Sequence, residues 1–232
     1  MKKNRIAQDI ARETMQELHR FITVGMSEKN IAEKCKDLMV EKGSNGWWYH
    51  GIPAMVLLGE RSTLSISGRQ YQPLEENRVG ETDLVTIDLA PTVDGYWGDY
   101  ARTIFIENGI VAEEDNPTQP LFRQGLDAEL YLHEQLLKLA TPDMTYEALY
   151  YALNKEIHSI GFGNLDFHGN LGHSVDIDEG DRIYIERGIT ATFAEVGKAF
   201  TFEPHIRVQG GQYGFKREDI YYFDETGKLY RL

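Results

Sequence analysis

Two stretches of this chain, 118 residues apart, carry the same helix signals, and this repetition constrains the fold more than any other feature. Ser27 and Gly43 enclose one helical pattern of apolar residues, and Thr145 and Gly161 enclose another at the same spacing. A serine or threonine is a common N-cap and a glycine is a common stop signal, so each pair predicts one helix. We therefore expect an internal duplication whose period is too long for a solenoid.

A second amphipathic pattern precedes each of these helices, over residues 5–23 and about 119–139. After the helices the apolar period changes to two, which predicts a β-hairpin in each half. Each half therefore reads as two helices followed by a hairpin. The sequence predicts an α+β fold with pseudo-symmetric halves, about 1–115 and 116–232, in a single catalytic domain over residues 1–232.

The first hairpin, VTIDLA and YARTIFI, is centred on the Asp-Gly pair at residues 94–95. Such a pair accepts the positive φ angles of a two-residue turn. With that turn, Asp88 lies opposite Ala101 and Asp99 lies opposite Ala90. Both aspartates then face the same side of the hairpin as a diagonal pair, and the alanines leave space above them.

The second hairpin, AFTFEPHIRV and GFKREDIYYF, is centred on the Gly-Gly pair at residues 210–211. With that turn, Glu203 lies directly opposite Glu218. Like charges on facing strand positions are destabilising unless a positive group lies between them, and a divalent metal is the simplest candidate. His173, in the glycine-bounded run GNLGHSVD, is the predicted nitrogen ligand, and His168 competes with it.

Composition narrows the functional classes. The formal net charge is −13, without a long basic run, so we expect no nucleic-acid partner. The N-terminal residues are charged throughout, which predicts neither a signal peptide nor a membrane span. Cys35 is the only cysteine and cannot form a disulfide within the chain. These features favour a cytoplasmic enzyme that has no membrane partner.

Four motifs together carry a family resemblance: VTIDLAPTVDGYWGDYARTIFI, FHGNLGHSV, FTFEPHI and GFKREDIYYFDETG. They resemble the pita-bread metallopeptidases, which include methionine aminopeptidase, aminopeptidase P, prolidase and creatinase. The resemblance implies two divalent metal ions, chosen from Mn, Fe, Co and Zn with Mn favoured. It implies as metal ligands Asp88, Asp99, His173, Glu203 and Glu218. It also implies catalytic roles for His173 and for Glu203, which would act on the bridging water.

The short gap between Glu203 and Glu218 is similar to the Xaa-Pro peptidase branch, so the implied substrate is a short peptide with proline after the scissile bond. The N-terminal domain of that branch is not expected in this chain. A methionine aminopeptidase-like enzyme, an enzyme acting on another small amide, and a catalytically impaired binding module remain as alternatives.

The chain departs from the family pattern in two places. Residues 60–79 contain no histidine, where the family has one. The segment after His173 offers acidic residues in place of the family's His-Glu pair, with Glu186 in the glutamate's place. Because such histidines help to hold substrate and the developing oxyanion, we expect slow turnover or an unfamiliar substrate.

Aromatic residues supply the predicted substrate site and dimer contacts. We expect the aromatic run Trp47, Trp48 and Tyr49, together with His50, to line an apolar substrate site, with core packing as the alternative for the aromatic run. Tyr96 and Trp97 at the tip of the first hairpin are candidate contacts of a homodimer.

Overall fold

The computed structural model describes residues 2–175, 181–197 and 199–232. The helices are α1 (Lys2–Phe21), α2 (Glu28–Glu41), α3 (Pro120–Leu139), α4 (Tyr146–Ser159) and the short α5 (Phe193–Val196), with a 3₁₀ turn at Gly59–Thr63. The α1–α2 pair and the α3–α4 pair have the same lengths and lie 118 residues apart, so the predicted duplication is confirmed. No described helix is long and apolar enough to cross a membrane.

The predicted caps form at α2 and α4. The Ser27 hydroxyl accepts from the Asn30 N–H at 3.1 Å. In return the Ser27 N–H donates to Asn30 Oδ1 at 3.2 Å, which completes a capping box. The Thr145 hydroxyl accepts from the Ala148 N–H at 3.1 Å. Beyond the last turns, Gly43 and Gly161 adopt φ angles of 100° and 84°. Glycine tolerates this left-handed backbone, so both helices end where the sequence predicts.

Thirteen strands form between and after the helices within the described residues. In the first half they are β1 (Gly46–Trp47), β2 (Ala54–Leu58), β3 (Asp83–Leu89), β4 (Pro91–Val93), β5 (Tyr96–Trp97), β6 (Tyr100–Glu107) and β7 (Ile110–Val111). In the second half they are β8 (Phe162–Asn164), β9 (Ala199–Phe202), β10 (His205–Val208), β11 (Phe215–Lys216), β12 (Asp219–Phe223) and β13 (Leu229–Arg231).

The strands pair antiparallel in four small sheets. The first half contributes the orders β1-β4-β5 and β2-β3-β6-β7, and the second contributes β11-β10-β8 and β13-β12-β9. In each half the sheets follow the helix pair along the chain, and α1 and α2 pack on the first-half sheets. The architecture is therefore the α+β arrangement of two pseudo-symmetric halves that the sequence predicts.

The first hairpin has the predicted register. Asp94 and Gly95 have φ angles of 52° and 79°, as a two-residue turn requires. Val93 pairs with Tyr96 beside the turn, and Asp88 pairs with Ala101 further along. Between these ladders residues 98–99 leave the regular pairing pattern, although the Gly98 N–H still donates to the Pro91 carbonyl at 2.9 Å.

The second hairpin has the predicted register but a wider loop. Phe202 pairs with Asp219 and His205 pairs with Lys216, so Glu203 and Glu218 fall between the two ladders at opposite positions. The loop spans residues 209–214 and is not a two-residue Gly-Gly turn. The end of β10 pairs with β8 on its other edge, which draws it away from β11.

Three apolar clusters support these elements. One lies in the first half under α1 and α2, and a second lies in the second half under α3 and α4. The third contains Trp48 and Trp97 from the first half and Val175, Ile220 and Leu232 from the second. Because this cluster draws on both halves, it joins the two hairpin regions directly beside the site described below.

Candidate metal centre

Asp88 and Asp99 reach the centre from the first hairpin. Asp88 lies in β3, and Asp99 lies in the break before β6. Gln8 of α1 holds the main chain of Asp99, since its Nε2 donates to the Asp99 carbonyl at 2.8 Å and its Oε1 accepts from the Asp99 N–H at 2.8 Å. A Cβ at Gly98 would overlap the main chain of Ala7, so only glycine permits this close approach of α1.

The ring of His173 is oriented by main-chain contacts. The His173 N–H donates to Thr201 Oγ1 at 3.1 Å, and its carbonyl accepts from the Thr201 N–H at 2.7 Å. Its Nδ1 lies 2.9 Å from the Ser174 carbonyl oxygen. Because a carbonyl only accepts, Nδ1 carries a proton, which leaves Nε2 as the ring nitrogen that faces the carboxylates and could bind a metal ion. That Nε2 lies 3.4 Å from Asp99 Oδ2.

Glu203 and Glu218 enter from the second hairpin. The Glu218 N–H donates to the Ala101 carbonyl at 2.9 Å, which fastens this glutamate to the first hairpin. Both carboxylate oxygens of Glu218 and Oδ2 of Asp99 are buried and find no hydrogen-bond partner among the described residues. Buried carboxylate oxygens without donors are unfavourable, and a bound cation would satisfy them.

The five side chains form two overlapping groups of ligand atoms. In the first set, one atom each from Asp99, His173 and Glu218 lies within 4.8 Å of the others. In the second set, the same holds for Asp88, Glu203 and Glu218. The fold thus brings all five predicted ligand residues to one place, with Glu218 shared by both sets.

Burial and mutual repulsion perturb these carboxyls. Burial raises the pKa of Asp99 to about 6, although His173 opposes the shift. Burial raises the pKa of Glu218 well above its ordinary value, and the charges of Asp99 and Glu203 add to the effect. Burial acts in the same direction on Glu203, but the positive charge of Lys216 opposes it, and the pKa of Glu203 is lowered. Such opposed shifts among neighbouring carboxyls are typical of functional sites.

Lys216 is a member of the site that the sequence-based prediction omits. Its Nζ lies 2.6 Å from Asp88 Oδ2 and 3.0 Å from Glu203 Oε2. Burial disfavours the ammonium, but Asp88, Glu203 and Glu218 raise its pKa well above the ordinary value. The hairpin register contains the signal for this residue, because Lys216 precedes Glu218 by two positions and so shares its face of the strand.

His205, the strand partner of Lys216, lies on the same face and also lines the cavity. Its Nε2 donates to the Ser62 carbonyl at 2.6 Å. Burial and the charge of Lys216 lower the pKa of His205 to about 4, so its ring is neutral near pH 7. The same register argument would have found this residue.

Arg102 of β6 braces the two hairpins against each other behind the carboxylates. Its guanidinium donates to the carbonyls of Ala101 and Glu218, both at 2.7 Å. It also forms two bonds to the Asp219 carboxylate, at 3.0 and 3.1 Å, and stacks over the Tyr100 ring at 3.8 Å. The position of Glu218 relative to the first hairpin therefore depends on a buried, bidentate ion pair.

Aromatic rings and one arginine form a wall of the cavity above the carboxylates. The Arg182 guanidinium lies 4.8 Å from the Trp48 ring centre and 5.4 Å from the ring centres of Tyr49 and Tyr184. All four residues line the same cavity as Asp88 and the other carboxylates. The cation–π contacts hold a positive charge at this wall, and Arg182 is a second cavity residue that the sequence-based prediction omits.

Of the predicted substrate-site residues, Trp48 and Tyr49 are placed on this wall. Trp47 and His50 are not among the described residues that line the cavity. Trp47 pairs with Pro91 and packs on the first-half core, because neighbouring residues of an extended segment point to opposite sides. His50 has a φ of 48° and packs against the Tyr49 ring, at 4.5 Å between ring centres.

Other predicted residues also lie away from the cavity or inside the protein. Trp97 is buried under Trp48, with the rings stacked at 4.6 Å, so it is not an exposed dimer contact, whereas Tyr96 is 38% exposed. His168 is exposed, and His173 is the histidine that reaches the carboxylates. Glu186 is not among the described cavity residues. Residues 176–180 of the same acidic segment lie outside the described residues.

Comparisons with known proteins agree with this architecture. The model of metallopeptidase family M24 matches residues 2–225. An uncharacterized peptidase of Schizosaccharomyces pombe is 27% identical over 202 residues, which are 85% of this chain and 40% of that protein. The chain thus spans less than half the length of this relative.

Solved structures share the fold at low sequence identity. X-Pro aminopeptidase from Thermotoga maritima aligns with a TM-score of 0.80 and 23% identity over 99% of this chain and 59% of its own. Prolidase from Pyrococcus furiosus aligns with a TM-score of 0.77 and 24% identity over 99% of this chain and 62% of the prolidase chain. Methionine aminopeptidase from Thermotoga maritima aligns with a TM-score of 0.74 and 16% identity over 99% of this chain and 94% of the aminopeptidase chain. With the family model matching nearly the whole length, this chain belongs to metallopeptidase family M24.

Proposed function

We propose that this protein is a divalent-metal-dependent hydrolase of a short peptide or small amide, with Xaa-Pro exopeptidase activity as the first choice. The observation that carries the proposal is the convergence of Asp88, Asp99, His173, Glu203 and Glu218, with three of their buried oxygens lacking a hydrogen-bond partner among the described residues. These residues come from both halves of the chain, so we propose that residues 1–232 act as one catalytic domain.

The donor atoms suit hard to borderline divalent ions. Asp99, Glu218 and Nε2 of His173 would hold one ion, and Asp88, Glu203 and the shared Glu218 would hold a second. Carboxylate oxygens with a single imidazole nitrogen are compatible with Mn, Fe, Co or Zn, and we favour Mn. Bound ions would supply Lewis acidity and lower the pKa of a nearby water toward neutrality.

Glu203 is the proposed general base. Its side chain is 19% exposed at the cavity, and its lowered pKa keeps the carboxylate ionised near neutral pH. An ionised carboxylate beside the attacking water can accept its proton and return it to the leaving amine. His173 helps to hold the water-activating centre in place through the fixed orientation of its ring.

Arg182 makes a short peptide the best match for the cavity. A C-terminal carboxylate complements its guanidinium, and the rings of Trp48 and Tyr49 offer apolar surface for a proline ring. The structural relatives named X-Pro aminopeptidase and prolidase support the same substrate class. We therefore propose dipeptides of the type Xaa-Pro as the first substrates to test.

The test uses chelator-treated protein reloaded with Mn²⁺. Hydrolysis of Xaa-Pro dipeptides is expected, with a loss of activity on amidation of the proline carboxylate. Glu203→Gln should abolish activity, whereas Glu76→Gln, at an exposed position, should leave it unchanged. Equal turnover of dipeptide and dipeptide amide would contradict the role of Arg182. Absence of turnover with all Xaa-Pro substrates would contradict the first choice.

Methionine aminopeptidase activity is the second candidate. The observation that favours it is the 94% coverage of the Thermotoga maritima methionine aminopeptidase by this chain. Peptides that begin with methionine therefore belong in the same assay, and their selective cleavage would replace the first choice. A protein that binds no Mn²⁺, Co²⁺ or Zn²⁺ would instead be a binding module.

A further inference from the structure

Lys216 forms ion pairs with every member of the second set of ligands. Its Nζ lies 2.6 Å from Asp88 Oδ2, 3.0 Å from Glu203 Oε2 and 3.7 Å from Glu218 Oε2. One ammonium thus contacts one oxygen from each of the three carboxylates. An ion held by this set would bind the same three carboxylates, so the ammonium and a divalent ion compete for them.

The first set is different. Among the described residues no lysine or arginine forms an ion pair with Asp99, and Nε2 of His173 faces this set, 3.4 Å from Asp99 Oδ2. Oδ2 of Asp99 and both oxygens of Glu218 have no hydrogen-bond partner in the described part of the chain. The two sets are therefore unequal before any ion binds: the first has unsatisfied acceptors, and each carboxylate of the second is already ion-paired with the Lys216 ammonium.

We propose, on the basis of the metal-dependent function above, that Lys216 makes the two sets fill in order. The first divalent ion binds at Asp99, His173 and Glu218. The second binds at Asp88 and Glu203 only after the Lys216 ammonium has moved off their oxygens. Lys216 is thus a positioning residue that sets the affinity for the second ion and keeps Glu203 in place while only one ion is bound.

The main chain of Lys216 is fixed, so the ammonium must leave by a change of side-chain rotamer. The Lys216 N–H donates to Thr103 Oγ1 at 2.9 Å, and Thr103 Oγ1 lies 3.2 Å from the Lys216 carbonyl oxygen. The side chain is 17% exposed, which gives it a route toward the cavity. If the Lys216 side chain stays, its ammonium and the metal ion repel each other at contact distance. If the side chain moves away, the ammonium loses three ion pairs.

The test is calorimetric titration of chelator-treated protein with Mn²⁺. The wild type should bind two equivalents in separate phases, the second weaker than the first. Lys216→Met keeps the aliphatic volume and removes the charge, so it should bind the second equivalent roughly 10- to 100-fold more tightly and leave the first almost unchanged. Lys216→Arg keeps the charge and should retain two phases.

Lys42→Met is the matched control. Lys42 also bridges two carboxylates, with Nζ 2.5 Å from Glu17 and 3.6 Å from Glu13, but it lies between α1 and α2 away from the cavity. Its loss changes the net charge by the same amount, so any effect common to both variants is non-specific. Neither phase should change in Lys42→Met.

Electron paramagnetic resonance of the wild type gives a test that does not depend on how Lys216→Met folds. With half an equivalent of Mn²⁺, only isolated ions are expected, and spin-coupled pairs should appear only as the second equivalent binds. Asp99→Asn should weaken the first phase, and Asp88→Asn should weaken the second.

The outcomes separate this inference from the proposed function. Two equal, tight equivalents in the wild type, or spin-coupled pairs at half an equivalent, would overturn the role of Lys216 and leave the hydrolase proposal standing. An unchanged second phase in folded Lys216→Met would also overturn the role of Lys216 and leave the hydrolase proposal standing. No binding of Mn²⁺ by the wild type would overturn both.

Discussion

The side-chain amide of Gln8 forms two hydrogen bonds with the main chain of Asp99, one to the carbonyl and one from the N–H, both at 2.8 Å. Gln8 is fully buried in α1, and Asp99 is a candidate ligand 91 residues further along the chain. The first helix of the chain is therefore part of the support of the metal centre. It fixes the one segment where the first hairpin leaves the regular pairing pattern.

Gln8→Ala should destabilise the protein and weaken metal binding together. The substitution leaves the buried N–H and carbonyl of Asp99 without partners, and each such loss costs about 1–3 kcal/mol. Urea denaturation should show the loss of stability, and Mn²⁺ titration should show a weaker first phase. Gln16→Ala, on the exposed side of the same helix, should change neither. Unchanged stability in Gln8→Ala would contradict the support role of α1.

Arg102→Met should cost more stability than any surface ion pair. It leaves the Asp219 carboxylate buried at 0% exposure without its bidentate partner, and breaking such a pair costs about 3–5 kcal/mol. Arg78→Met removes an exposed pair with Glu75 and should cost about 0–1 kcal/mol. The measurement is the free energy of unfolding in urea for both variants. Similar values for the two would contradict the brace between the hairpins.

Local sequence signals predicted much of the fold because the decisive features are short-range. The N-caps at Ser27 and Thr145 and the Asp94-Gly95 turn depend on neighbouring residues, and all three form as expected. The loop at 209–214 differs because β10 also pairs with β8, a strand about forty residues earlier. Pairing at such separation leaves no local signal in the turn itself.

The candidate site was predictable only in part, for a related reason. Strand register places Asp88 on the same side of the first hairpin as Asp99 and places Glu203 opposite Glu218 in the second. Applying it two positions further in the second hairpin gives Lys216 and His205. The contact between Gln8 and Asp99 depends on how α1 packs, which no hairpin register contains. Likewise, Trp47 and Trp48 are adjacent and equally apolar, and only the sheet pairing decides which one faces the cavity.

Removal of metal should lower stability through the first set of ligands. An ion that binds only the folded state adds about 2.7 kcal/mol when its concentration is 100 times the dissociation constant. Mn²⁺ should therefore raise the thermal midpoint of the wild type, and a chelator should reverse the shift. Glu218→Gln removes the shared carboxylate and should abolish the shift, whereas the exposed Glu225→Gln should retain it. A full shift in Glu218→Gln would contradict the assigned ligands.

His133 should make stability depend on pH below neutrality. Its Nε2 donates to the Arg217 carbonyl at 3.1 Å and its Nδ1 accepts from the Tyr221 hydroxyl at 2.8 Å, so the ring is neutral in the fold. Burial lowers the pKa of His133 to about 3, below its ordinary value of 6.5. Its contribution is therefore complete above pH 6.5 and is lost as the pH falls toward 3.

Burial also raises the pKa of Glu129 to about 7. That shift makes the protein more stable as the pH falls, which is opposite to the effect of His133, so the pH test compares variants. Between pH 6.5 and 5, His133 should account for ~2 kcal/mol of lost stability. His133→Gln should remove that part of the pH dependence, and His158→Gln, at an exposed position, should leave it in place. The measurement is urea denaturation at both pH values. An identical pH dependence in His133→Gln and wild type would contradict the assignment.

Gly172→Ala should abolish metal binding although Gly172 is not itself a metal ligand. Gly172 has a φ of 143°, and a Cβ there would overlap the Thr201 carbonyl oxygen. Thr201 holds the main chain of His173 through two hydrogen bonds, so the strand must move and the imidazole must turn away from Asp99. Gly163→Ala is the control, because a Cβ at Gly163 meets no atom within 4 Å. Mn²⁺ titration of both proteins, after circular dichroism has shown that they are folded, should give no first phase for Gly172→Ala and a normal one for Gly163→Ala. A normal first phase in folded Gly172→Ala would mean that His173 does not depend on this contact for its place among the ligands.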